Sequence, residues 1–257
     1  MSDREKVKVT IITPSYNQGQ FIEATILSVI NQTYKNIEYI VLDACSTDQT
    51  TEILDKYKDK ISKIICEKDR GQSDAINKGF RLSNGELVAW INSDDVLYPD
   101  CVERIVNSYE LDSKYSIYYN SQCNIIDKKN NIIGLIDRKI IDRSFLLKEK
   151  YEVLQPGSFY STEKVREVNY LDENCHYCMD LDLWLKLLNL GGIIDVEGNP
   201  IAAYREWELT KTSTGAEKFY KNIFQILRKH GASLFDKSVI NVSILILKNI
   251  IKSKIKI

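Results

Sequence analysis

The chain has 257 residues, with 35 Lys and Arg against 36 Asp and Glu, a formal net charge of −1. That balance excludes a general attraction to nucleic acid, and no nucleic-acid-reading signature occurs. An apolar content of 44% excludes a disordered scaffold and suits one core domain with an appended segment.

The N-terminus, Met1-Ser2-Asp3-Arg4-Glu5-Lys6, is polar and carries no signal-peptide pattern. The longest apolar stretch falls short of the ~20 residues that cross a bilayer. A cytoplasmic protein, soluble or peripheral at the membrane surface, is expected. Val7–Thr13 is a continuous apolar, β-branched run and predicts a buried parallel strand. Phe21, Ala24, Ile26, Leu27 and Ile30 then recur at helical spacing. Ile37–Leu42 predicts the second strand, followed by a helix over about Gln49–Tyr57 with Asp48 as N-cap. Ile61–Cys66 predicts the third strand, Ser73–Leu82 a helix closed by Asn84-Gly85, and Leu87–Ile91 the fourth strand. Pro99 opens a helix to about Leu111. Alternating strands and helices of this kind argue for a parallel sheet with right-handed crossovers.

The second half is less regular. Ser116–Tyr119, Cys123–Asp127, Ile132–Ile136, Gln155–Ser161 and Ile201–Arg205 predict short strands. Leu181–Leu190 and Ala216–Lys229 predict helices. Cys175-His176-Tyr177-Cys178 has no second ligand pair at zinc spacing, so reduced thiols are expected. From Ser238 the chain is strongly apolar and is punctuated by Lys248, Lys252, Lys254 and Lys256. It reads either as a helix packed on the domain or as an interfacial helix on anionic lipid.

Four segments carry chemistry: Thr13-Pro14-Ser15-Tyr16-Asn17, Asp43-Ala44-Cys45-Ser46-Thr47-Asp48, Asn92-Ser93-Asp94-Asp95 and Met179-Asp180-Leu181-Asp182-Leu183-Trp184. The first three follow apolar runs, and polar groups at the C-terminal ends of parallel strands converge on the ligand crevice of such sheets. Asn17 reads as a helix cap or as part of a nucleotide pocket with Pro14 and Tyr16. Asp43 is placed to accept from the imide N–H of uracil or thymine. Adjacent carboxylates such as Asp94 and Asp95 repel each other, and a divalent cation relieves the repulsion. Asp180 and Asp182 suit a helix N-terminus for dipole reasons, and one of them also suits a general base.

The arrangement resembles the inverting family 2 glycosyltransferases of GT-A fold. Gly71-Gln72-Ser73-Asp74-Ala75-Ile76-Asn77-Lys78-Gly79 supplies a further motif of that family, and the resemblance covers about residues 7–210. It implies an α/β fold with a mostly parallel Rossmann-like sheet. Residues 1–210 would form the transferase domain, about 7–115 its nucleotide-sugar half and 116–210 its acceptor half, with 211–257 as a C-terminal helical extension. Carried over by position, Pro14, Tyr16, Asn17, Asp43, Arg70, Asn77 and Asp94 would bind the nucleotide sugar. Asp95, at a solvent-facing strand end, would ligate Mn²⁺ or Mg²⁺, and Asp180 would be the catalytic base. The implied reaction is inverting transfer from a nucleoside diphosphate sugar, UDP or dTDP favoured, to a glycan or lipid-linked acceptor.

Three positions depart from the pattern. Ile76 replaces a nucleotide-contacting arginine, Met179 replaces the glutamate before the base, and Trp207 in Arg205-Glu206-Trp207 replaces a histidine near the metal. The histidines, His176 and His230, lie elsewhere in the sequence. A sugar-1-phosphate nucleotidyltransferase would carry a basic glycine-rich loop, which Thr13–Gly19 lacks. A non-catalytic nucleotide-sugar binder would keep Asp43 and Asp94 without needing Asp180.

Overall fold

The protein is described by a computed structural model covering residues 7–208 and 211–255, with side chains for 7–208 and 217–251. The first half alternates as expected: β1 (Val9–Ser15), α1 (Ile22–Ile30), β2 (Ile37–Asp43), α2 (Thr50–Tyr57), β3 (Lys63–Cys66), α3 (Gln72–Leu82) and β4 (Leu87–Trp90). These strands pair in parallel in the order β3-β2-β1-β4. Every residue of β1 is buried, which is why its sequence is a continuous apolar run rather than an alternating one. A Cβ at Gly79 of α3 would lie 2.6 Å from Ile12 Cγ2 on β1. The glycine therefore sets how closely this helix rests on the sheet.

The second half brings β5 (Val96–Leu97), α4 (Cys101–Leu111), β6 (Ile117–Tyr119), β7 (Gln122–Ile126), β8 (Ile132–Asp137), α5 (Arg143–Lys148) and β9 (Phe159–Ser161). After these come α6 (Thr162–Glu167), α7 (Met179–Leu187), β10 (Ile193–Asp195), β11 (Ala202–Arg205), α8 (Lys211–Lys229) and α9 (Lys237–Ile255). The main sheet has seven strands in the order β10-β6-β9-β4-β1-β2-β3, with β9 antiparallel to both β4 and β6. A second sheet, β5-β11-β7-β8, lies beside the cleft, and β11 runs parallel to β7. This is the mixed α/β arrangement of a GT-A fold.

Several expectations shift. The strand expected over Gln155–Ser161 begins only at Phe159, because Gly157 has φ +78° and Ser158 N–H closes a turn onto Gln155 O. The elements β5, α5, α6 and β10 have six residues or fewer, too short to show a periodicity.

One core joins the halves. Trp184 of α7 is fully buried and donates through Nε1 to Tyr160 Oη at 3.1 Å. Tyr160 in turn stacks on Trp90, their ring centroids 5.5 Å apart. Truncating such a buried tryptophan costs about 3–5 kcal/mol, so Trp184 anchors the helix whose mouth carries Asp180.

Candidate active site

A cavity of about 690 Å³ opens at the C-terminal ends of β1 and β4. This is where an open parallel sheet binds ligands. Pro14 and Tyr16 line it from the turn after β1, Gly71 and Gln72 from the start of α3, and Asn92, Ser93 and Asp94 from the turn after β4. Asp180 lines it from the mouth of α7, and Trp207 from the segment after β11. Tyr151, Tyr204, Phe219 and Tyr220 add an aromatic wall. Asn17, Asp43, Arg70, Asn77 and Asp95 are not among the lining residues.

The turn after β1 is laced to the turn after β2. The N–H groups of Asn17, Gln18 and Gly19 donate to Ser46 Oγ, Thr50 Oγ1 and Asp48 Oδ2 at 2.8, 3.0 and 2.8 Å. Asn17 has φ +51°, a left-handed conformation that asparagine tolerates, and its Oδ1 accepts from Thr47 N–H. It is a brace between turns, and the N-cap position of α1 belongs to Phe21. The N-cap position of α2 belongs to Gln49 rather than to the expected Asp48, which lies one residue earlier and accepts from Thr50 N–H at 3.0 Å. Asp43 ends β2 in register with Ser15 and is 1% exposed. Its oxygens accept from Ser46 N–H at 2.8 Å and from Ser46 Oγ at 2.5 Å, which fixes the carboxylate's orientation.

The adjacent carboxylates after β4 point to different places. Asp94 lines the cavity, and its Oδ2 accepts from Trp207 Nε1 at 3.0 Å. Asp95, expected at a solvent-facing position, is fully buried. Its Oδ1 accepts from Arg205 N–H at 2.8 Å and its Oδ2 from Asn92 Nδ2 at 3.0 Å. The physical reason lies in β11, which arrives with a main-chain donor and a guanidinium beneath the turn. Arg205 is itself buried and donates to Asp94 O, Asp127 O and Asn130 Oδ1. Burial pushes both carboxyls upward, and the Asp94 charge adds to the effect on Asp95, which stands well above the usual range. Hydrogen bonds from Trp207 and Arg205 offset this only in part.

The two aspartates of α7 also diverge. Asp180 faces the cavity, and its Oδ1 accepts from Leu181 N–H at 2.9 Å. Asp182 is fully buried and meets His230 Nε2 at 2.9 Å, Lys229 Nζ at 3.0 Å and Lys186 Nζ at 3.3 Å. Burial alone would raise its carboxyl, but these partners outweigh it and hold the group well below the usual range. Asp182 therefore fastens α7 to the end of α8.

Arg70 and Asn77 are turned elsewhere. The Arg70 guanidinium reaches Glu173 and Asp74 at 2.6 and 3.2 Å. Asn77 Nδ2 donates to Leu171 O and its Oδ1 accepts from Leu171 N–H, so it clamps α3 to the segment before α7. Met179 accepts from Ser73 Oγ, packing α7 onto the first turn of α3. Cys175 and Cys178 are free, buried thiols, and Asn222 Oδ1 gathers Cys175 Sγ and the N–H groups of Tyr177 and Cys178. Gln72 and Asn92, inside the quoted motifs but given no role of their own, join the unforeseen Gln155 in a hydrogen-bonded row along the cavity edge. The polar Gln155-Pro156-Gly157 turn was the available signal.

Among the described residues, no group of three or more His, Cys, Asp or Glu could hold a metal ion by itself. Trp207 is a donor only and cannot ligate. A magnesium-type cation is usually held by one or two carboxylates together with substrate phosphates and water. Asp94, presented to the cavity with Asp95 buried behind it, fits a cation shared with a diphosphate.

Known proteins share this frame. The Glycosyl transferase family 2 model matches residues 10–167. An uncharacterised glycosyltransferase of Rickettsia typhi is 31% identical over 197 residues, covering 72% of this chain and 60% of that protein. A protein of Bacillus subtilis named for teichuronic acid biosynthesis, TuaG, is 38% identical over 102 residues, covering 38% of this chain and 40% of its own length. The chain thus spans less than two thirds of the length of these relatives. The solved structure of S. aureus TarS with UDP-GlcNAc superposes with TM-score 0.66 at 18% identity, covering 95% of this chain and 71% of that one. A Pyrobaculum calidifontis mannosyltransferase with GDP-Man and Mn²⁺ superposes with TM-score 0.60 at 18% identity, covering 88% and 64%. Divalent-cation use with nucleotide sugars therefore occurs within this fold. With its matched residues running from β1 into α6, the chain belongs to glycosyl transferase family 2.

Proposed function

We propose that the chain transfers a sugar from UDP- or dTDP-sugar to an acceptor hydroxyl, with inversion at the anomeric carbon, in polysaccharide or glycoconjugate assembly. The observation that carries the reading is that Asp94 and Asp180, delivered by a strand end and a helix mouth, line one cavity. Pro14 and Tyr16 flank the base, and Asp43 accepts from its imide N–H while Ser46 keeps the carboxylate aligned. Asp94, which lines the cavity where the buried Asp95 does not, would take the cation-holding role expected of Asp95, together with the donor phosphates, and the cation would neutralise charge on the departing diphosphate. Asp180 takes the proton from the acceptor hydroxyl as it attacks the face opposite the diphosphate. Tyr151, Tyr204 and Tyr220 offer apolar faces for the acceptor rings.

The polysaccharide setting is supported by the teichuronic acid relative, and the donor class by the UDP-GlcNAc and GDP-Man neighbours. A nucleotidyltransferase would need its first loop for phosphates. Here the amides of residues 17–19 already donate to side chains of the next turn.

The test is a melting-curve screen of nucleotide sugars with and without Mn²⁺, since a ligand of the folded state raises apparent stability. It is followed by NMR of the product anomer. A UDP- or dTDP-sugar should raise the melting temperature most, and an α-linked donor should give a β-linked product. Retention of configuration, or no stabilisation by any nucleotide sugar, overturns the proposal.

A further inference from the structure

The last helix is apolar on two opposed faces. Val239 and Val242 of α9 are buried, and Ser238 Oγ donates to Leu147 O at 2.6 Å, fastening the helix to α5. On the other side Ile240, Ile244, Leu247 and Ile251 are 44, 43, 58 and 56% exposed. Their spacing of four, three and four residues places them in one row along the helix. Phe235, in the turn before α9, is 90% exposed. One face of α9 packs on the domain, and the opposite face is bare.

Charge decides what fits the bare face. Residues 237–257 contain no Asp or Glu and carry lysines at 237, 248, 252, 254 and 256, in a chain whose total is −1. A second copy of the same face would set lysine against lysine. An anionic surface that also accepts aliphatic side chains complements both features. A helix with an apolar row flanked by lysines lies in the plane of such an interface.

We propose that the outer face of α9, with Phe235, docks the protein on an anionic lipid surface. Ile240, Ile244, Leu247 and Ile251 enter the acyl boundary while Lys237 and Lys248 meet lipid phosphates. Among the described residues no helix is long and apolar enough to cross a membrane, so attachment is to the surface. The docking stands apart from the transferase reading. If both hold, α8, which packs on α9 and supplies Phe219 and Tyr220 to the cavity wall, sets the acceptor side one helix away from the lipid.

The test is flotation of the full chain with vesicles of equal phosphatidylcholine and phosphatidylglycerol, against phosphatidylcholine alone. The protein should float with the anionic vesicles, and high salt should weaken this without abolishing it. Leu247→Ser should lower partitioning about tenfold through lost apolar burial. Lys248→Ala should lower it about fivefold, the worth of one lysine at an anionic surface. Both positions face outward, so melting temperatures should stay put; Phe235→Ser, outside the helix, repeats the test if one does not. Absence of flotation overturns the proposal. So does light scattering that shows a dimer dispersed by Leu247→Ser, which would make the face a self-contact.

Discussion

The indole Nε1 of Trp207 donates to Oδ2 of Asp94 at 3.0 Å, tying the segment after β11 to the strand end after β4. Trp207 is steadied by Phe21, whose ring centroid lies 5.1 Å away, and by Lys128 above its face. The Asp94 carboxylate is thus aimed by a neutral donor. Trp207→Phe keeps the ring and removes the donor. A hydrogen bond to a charged group is worth about 1.5–3 kcal/mol, so transfer should fall roughly tenfold or more. Steady-state kinetics at fixed Mn²⁺, with a melting curve showing an intact fold, checks this.

Asp94 and Asp95 should separate activity from stability. Asp94→Ala removes a carboxylate from the cavity and relieves repulsion on Asp95, so activity should be largely lost while the melting temperature holds or rises. Asp95→Ala strands the buried donor Arg205 N–H, at a cost of about 1–3 kcal/mol, and leaves Asn92 Nδ2 with Gln155 alone. Its melting temperature should drop. Paired activity assays and calorimetric scans of the two variants read the contrast.

Asp180→Asn should reduce turnover by about 10²–10⁴, the usual worth of general acid–base help. Donor affinity should change little, because the base serves the acceptor. Kinetics together with donor titration calorimetry test both halves, and unchanged turnover would remove Asp180 from the role.

Asp182 should matter for folding with a defined acid dependence. Its folded pKa is depressed, so its contribution is present above the unfolded value of about 3.9 and is lost as pH falls toward the folded one. Asp182→Ala leaves Lys186 and His230 without their anion while Lys229 keeps Asp172, a loss of about 1.5–3 kcal/mol. The melting-temperature gap between wild type and variant should be wide at neutral pH and close below about pH 4.

Base selection should favour UDP or dTDP over ADP, because uracil and thymine present the imide N–H that Asp43 accepts and adenine does not. Calorimetric titration with each nucleotide checks it; equal affinity for ADP would count against this use of Asp43.

The strand ends were legible because β1, β2 and β4 are buried runs that stop abruptly at polar residues. Periodicity therefore located Asp43 and Asp94 without a structure. It could not say which of two neighbouring aspartates turns inward. That choice is made by Arg205, which lies 110 residues after Asp95 in the chain. Asn77 presents the same difficulty: its helix was visible, but its partner Leu171 lies 94 positions away. The clamp and a nucleotide contact look identical in one dimension. A strand was legible near β9, but three residues behind a Pro-Gly turn could not show that it runs antiparallel to both its neighbours.

That reversed strand has a practical consequence. Because β9 pairs with β4 on one side and β6 on the other, three residues from late in the chain close a sheet begun by its first ninety. A fragment ending near residue 115 would bare the outer edge of β4 and invite aggregation. Unfolding should proceed as a single cooperative step, with no proteolytic core released from the first half. Chimeras that exchange acceptor preferences with relatives should therefore take crossovers inside 120–158 and retain the native 159–161.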